Sequence, residues 1–215
     1  MTEAEWAVCT DPRALLDCIA RAGAVDDRKL RLFAIACCRR IWALVPTEGR
    51  ELLIAIELYT DGLSTRHERD MAVTAFRKIH SKCTVNEPAS RAVYGAKALP
   101  FEVSRALYVA ANAAMSKSPT KDASTEDEEP KPVLDPVEQA AQAELVRCVF
   151  GNPFRCAPAF DRGWRTGQVL ALADEMYQSR SFDRMAALAD SLQAAGCADT
   201  EILEHCRSEK KHVRG

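Results

Sequence analysis

Residues 26–44 read DDRKLRLFAIACCRRIWAL, and the fold class turns on them. Leu30, Phe33, Ala34, Cys37, Ile41 and Leu44 recur at the three- and four-residue steps that put side chains on one face of an α-helix. Leu32, Ile35 and Trp42 fall outside that stripe, so the predicted helix is apolar on more than one side and belongs at the centre of a helical assembly. Asp26 or Asp27 starts it, and Pro46 breaks the run after Leu44. At about 100° per residue, Arg28, Lys29, Arg39 and Arg40 gather on a second, basic sector of the same helix.

The neighbouring segments carry matching signals. Upstream, Thr2 and Glu5 have capping-box spacing, and Asp11 followed by Pro12 reads as an N-cap with proline at the first helical position. Downstream, Thr47 to Asp61 is dense in leucine and isoleucine and closed by Gly62, and Thr65 with Glu68 opens a more polar helix that turns Val73, Phe76 and Ile79 toward the core. Ser81 to Pro88 reads as a loop, Ala89 to Ala98 as a shorter helix, and Phe101 to Met115 as a longer one. Asp135, Pro136 and Glu138 supply N-cap, first-turn proline and N3 carboxylate for a helix reaching Phe150. Helices starting at Thr166 and Ser181 form a hairpin ended by Gly196, and Asp199 starts a last short helix. No segment sustains the alternation of a β-strand, so the chain is expected to be all-α.

Between these blocks, residues 116–132 read SKSPTKDASTEDEEPKP, with no large apolar side chain to offset the entropy of ordering them. The expected organisation is therefore an N-terminal helical assembly over 1–115, an acidic disordered linker over 116–134, and a C-terminal helical unit over 135–215 packed on the first. The 215 residues are 47% hydrophobic and 28% charged, with a formal net charge of −2, which gives no global attraction to nucleic acid or an anionic membrane. Nine cysteines is an odd number, and Cys37 and Cys38 are adjacent within a helix, so a reducing compartment is expected. The acidic start MTEAEW has no signal-peptide pattern, and no apolar run approaches the roughly 20 residues of a membrane helix, so the expected location is cytoplasmic.

Four constellations could carry chemistry. Cys197, His205, Cys206 and His212 offer thiolate and imidazole ligands of the kind zinc takes, but they lack paired spacing, and adjacent His205 and Cys206 diverge by about 100° on a helix. Cys206, Cys197 or Cys148 with His205, His67 or His80 could form a nucleophile and base, although no nucleophile signature surrounds them. The basic sector Arg28, Lys29, Arg39 and Arg40 could meet nucleic-acid phosphates, or could solvate a central helix and pair with carboxylates. Phe154 and Arg155 lie in an irregular segment that either locks structure together or meets a partner. Phosphate-cradling glycine loops are absent from the sequence.

The blocks MTEAEW, DRKLRLFAIACCRRIW at Asp27 to Trp42, FGNPFR at Phe150 to Arg155, FDRMAALADSLQAAGC at Phe182 to Cys197, EILEHCR at Glu201 to Arg207 and HVRG at His212 to Gly215 resemble a family of uncharacterised proteins present in many copies in planctomycete bacteria. In that family HVRG leads into a further tryptophan-containing apolar segment, so the resemblance implies either a shortened member or a piece of a longer one. It brings no assigned activity and no functional residue. By elimination, the sequence favours a non-enzymatic protein–protein interaction module without cofactor, ahead of a nucleic-acid-associated regulator and a cysteine-dependent enzyme.

Overall fold

A computed structural model describes residues 1–80, 88–97, 103–116, 134–155, 160–208 and 212–213. Eleven α-helices and no strand occur among them, and the helix starts follow the capping chemistry of the sequence. In α1 (Glu3–Val8) Thr2 and Glu5 cap each other reciprocally, with Glu5 N donating to Thr2 Oγ1 at 3.2 Å and Thr2 N to Glu5 Oε2 at 2.7 Å. Asp11 caps α2 (Pro12–Arg21), and Asp26 rather than Asp27 caps α3 (Asp27–Arg40) by accepting from Lys29 N at 2.8 Å. The helix predicted to reach Leu44 stops at Arg40. The chain tightens there into a 3-10 turn, Trp42–Leu44, where Arg50 takes up the carbonyls of Trp42 and Ala43.

Beyond that turn lie α4 (Thr47–Thr60), α5 (Arg66–His80), α6 (Pro88–Ala96), α7 (Val103–Met115) and α8 (Pro136–Phe150). The segment 81–87 and nearly all of the predicted linker, residues 117–133, lie outside the described residues. After Gly151 come α9 (Gly167–Ser179), a 3-10 turn over Phe182–Arg184, α10 (Met185–Ala194) and α11 (Thr200–Arg207). Within the described residues, no helix is long and apolar enough to cross a membrane.

The chain divides into two compact units, Met1–Phe150 and Gly151–Arg214. This differs from the division read in the sequence, because α8 packs within the first unit against α2, α3 and α7. The physical reason is the inner face of α8. Its Ala143, Leu145, Val146 and Val149 are buried together with Glu138 and Gln142. The Glu138 carboxylate, expected to cap its own helix, instead receives both Arg40 Nε at 2.7 Å and Arg40 Nη2 at 3.0 Å. Gln142 Nε2 donates to Ala110 O at 3.0 Å, which ties α8 to α7 as well.

In the first unit α3 is the central helix. Every residue from Leu30 to Cys38 is buried, and the helix packs on α4, α6, α7 and α8. The crossing of α6 and α7 is the closest of the unit and rests on small residues, with Ala92, Ala96, Ala106, Ala110 and Ala113 fully or nearly fully buried. Gly95 sets the approach, since a Cβ there would stand 2.8 Å from both Tyr108 Cδ1 and Val109 Cγ2. Arg147 of α8 donates to the carbonyls of Trp6 and Cys9, satisfying orphan acceptors at the C-terminal end of α1. α5 lies at the outside, packed on α4 through Phe76 and Val73.

The second unit is built on the predicted hairpin of α9 and α10, with α11 laid across α10. Val169, Ala189, Leu192, Cys197, Leu203 and Cys206 make its core, flanked by Trp164, Met185, Leu188 and Ile202.

Candidate functional site

A cleft of about 550 Å³ opens in the first unit where α5 faces the C-terminal end of α6 and the start of α7. Its wall on α5 consists of Arg66, Arg69, Asp70, Val73, Thr74 and Arg77, a set of i, i+3, i+4, i+7, i+8 and i+11 positions that share one helix face. Tyr94 and Lys97 come from α6 and the residue following it, and Arg105 from α7. Among the described residues, five cations and one carboxylate line the cleft, a net formal charge of +4 for that lining in a chain whose total is −2.

The cations form a floor and a rim. Arg69 and Lys97 are each 7% exposed, whereas Arg66, Arg77 and Arg105 are exposed at the edge. Arg69 is held by the Lys97 carbonyl and by Asp70 Oδ1, with its guanidinium 5.9 Å from the centre of the Tyr59 ring. Asp70 also lies 3.7 Å from Arg66 Nε, so the one carboxylate of the cleft among the described residues is already shared between two arginines. Lys97 Nζ stands 3.3 Å from the centroid of the Tyr94 ring and has no hydrogen-bond partner among the described residues. A buried ammonium set against the Tyr94 side chain with so few acceptors is costly to leave sparsely matched.

The electrostatics agree with that geometry. Burial, more than any other influence, pushes the Lys97 ammonium below the usual lysine value; Tyr94 opposes the shift, while Arg77 and Arg69 reinforce it by repulsion. The approach of Lys97 in turn lowers the Tyr94 phenol below its ordinary value. What the cleft offers chemically is a lining rich in cations, buried at Arg69 and Lys97 and exposed at Arg66, Arg77 and Arg105, which suits it to holding an anion.

The residues singled out in the sequence are placed elsewhere. Arg28 donates to Asp61 Oδ1 at 3.0 Å, Arg39 to Glu57, and Arg40 to Glu138, with the three carboxylates 4%, 3% and 1% exposed. Of the two readings of this sector, phosphate contact or pairing with carboxylates, Arg28, Arg39 and Arg40 take the second, because α3 is central and its cations must be matched where α4 and α8 cover it. Lys29 is half-buried on the first turn of α3. Phe154 is exposed, and Arg155 pairs with Glu201 of α11, tying the 151–155 turn to that helix.

Cys197, His205, Cys206 and His212 do not come together as one ligand set among the described residues. Cys197 and Cys206 lie in the apolar core of the second unit, while His205 points outward on the same helix turn and meets the His212 ring edge-on at 4.8 Å. Burial raises the Cys206 thiol, and the neighbouring Cys197 adds to the shift. In the first unit burial drives Cys38 up to about 12 and Cys37 well above its usual range, so both remain thiols.

Fold and site together define an all-α protein with a cationic cleft between three of its helices. Comparison with family models, with curated proteins and with solved structures finds no match. Sequence reasoning missed the cleft. Its only local signal was the spacing of Arg66, Arg69 and Arg77, diluted by Glu68 and Asp70, and its other two cations lie on separate helices.

Proposed function

We propose that the protein is a non-enzymatic interaction module that holds a discrete anionic group of its partner in the cleft between α5, α6 and α7. The observation that carries this reading is Lys97 Nζ, nine-tenths buried on the cleft floor without a hydrogen-bond partner among the described residues. An incoming anion supplies the missing acceptor, and the rim arginines add charge-assisted hydrogen bonds. A short anion suits the site better than a nucleic-acid strand, since the residues outside the cleft carry a summed formal charge of −6 and repel an extended polyanion. A thiol-based reaction has less support, because burial keeps the Cys206 thiol raised within an apolar core.

Sulfate is a suitable test anion. Titrated against chloride at constant ionic strength and followed by amide NMR shifts, it is expected to move resonances of Arg66 to Arg77, Lys97 and Arg105 saturably. Saturable shifts centred on Arg28 to Arg40 would instead favour the α3 face, and the absence of saturable shifts would overturn the proposal.

A further inference from the structure

Resting on the anion-binding reading, we infer that the cleft takes a diphosphate-type group, two linked phosphates, rather than a single phosphate or a cluster of carboxylates. The first argument is extent. Arg66 and Arg77 are eleven residues apart on α5, which places them roughly 16 Å apart along the helix axis. Lys97 and Arg105 face that row from the opposite wall. One phosphate supplies at most about two charges against a net charge of +4 on the described lining, so a single group leaves part of it unmatched. A second phosphate linked to it extends along the row.

Charge density is the second argument. The cleft presents a net charge of +4 within about 550 Å³. Matching it with carboxylates brings in four side chains and the backbone that carries them, whereas a phosphate monoester alone carries about −1.5 to −2 at pH 7 and a linked second phosphate adds at least about one more charge within a few heavy atoms. The third argument is donor geometry. Four of the five cations are arginines, whose forked N–H groups meet phosphate oxygens two at a time, and the fifth is the point charge of Lys97 at the base. Asp70 offsets one of the two charges of Arg66 and Arg69 at one end, which leaves Lys97, Arg77 and Arg105 as the stronger half of the site.

The test is calorimetric titration of the full chain at low salt with inorganic pyrophosphate, orthophosphate, hexaglutamate and ADP. Pyrophosphate is expected to bind about tenfold or more tightly than orthophosphate or hexaglutamate, a difference of at least about 1.4 kcal/mol. Arg77→Gln, an exposed substitution that leaves the core untouched, and Lys97→Met are each expected to weaken pyrophosphate by about tenfold with unchanged helicity. ADP binding more tightly than pyrophosphate identifies a nucleotide as the source of the diphosphate, while equal or weaker ADP binding identifies a diphosphate carried without a nucleoside; either supports the assignment. Pyrophosphate no tighter than orthophosphate, or unaffected by Arg77→Gln, overturns it. If sulfate still shifts the cleft resonances in that case, anion binding stands and only the diphosphate is lost. If neither anion perturbs the cleft, both readings fall.

Discussion

The two basic regions of the first unit use the same residue types for opposite ends. On α3, Arg39 and Arg40 each face a carboxylate that is 3% or less exposed, so their charges are spent within the molecule. Around the cleft, the described residues set five cations beside one carboxylate, which pairs with Arg66 and Arg69 alone, and Lys97 Nζ is buried without a hydrogen-bond acceptor among them. The difference lies in position. A central helix is covered on all sides and its cations must be matched by the fold, whereas α5 packs on α4 and leaves its arginine face open.

That contrast predicts different responses to substitution. The largest effect is expected at Glu138→Ala, which removes a bidentate partner from mostly covered Arg40 and should cost about 3 kcal/mol in urea unfolding. A cost under about 1 kcal/mol would mean that the α3 pair is no more structural than a surface contact.

Gly95→Ala tests the α6–α7 crossing that carries Lys97 and Arg105 to the cleft, and overpacking against Tyr108 and Val109 should cost about 1–3 kcal/mol. An unchanged thermal midpoint would show that the two helices part without penalty.

Lys97→Met should act in the reverse sense, raising stability by about 1 kcal/mol as it weakens anion binding, since it removes a desolvated charge repelled by Arg69 and Arg77. The pH dependence has a definite sign. With the folded-state pKa below the unfolded value, the unfolded chain binds more protons in the window between them, so the wild-type deficit is full below the folded-state value and shrinks as pH rises toward the ordinary lysine value. Urea midpoints of both proteins between pH 7 and the lysine range, under conditions where both stay two-state, check this; a gap that widens with pH refutes it.

Arg155→Ala should have the smallest effect, under about 1 kcal/mol, because Arg155 and Glu201 are both about half exposed. A larger loss would move this turn into the class of the α3 pairs.

The all-α class, the helix starts at Thr2, Asp11, Asp26, Thr65, Asp135, Thr166 and Asp199, and the central place of α3 were legible in the sequence, because caps and apolar stripes act over three or four residues. Partnership across the chain was not. Arg40 and Glu138 are separated by 98 positions, and nothing local to Glu138 distinguishes a capping carboxylate from one turned inward. The same holds for the cleft, whose lysine and arginines come from three segments that only the packing of α5, α6 and α7 brings together. Local sequence determined which segments are helical and which faces are apolar. Tertiary structure decided which charges are matched and which are left waiting for an anion, because matching depends on distances between helices rather than along them.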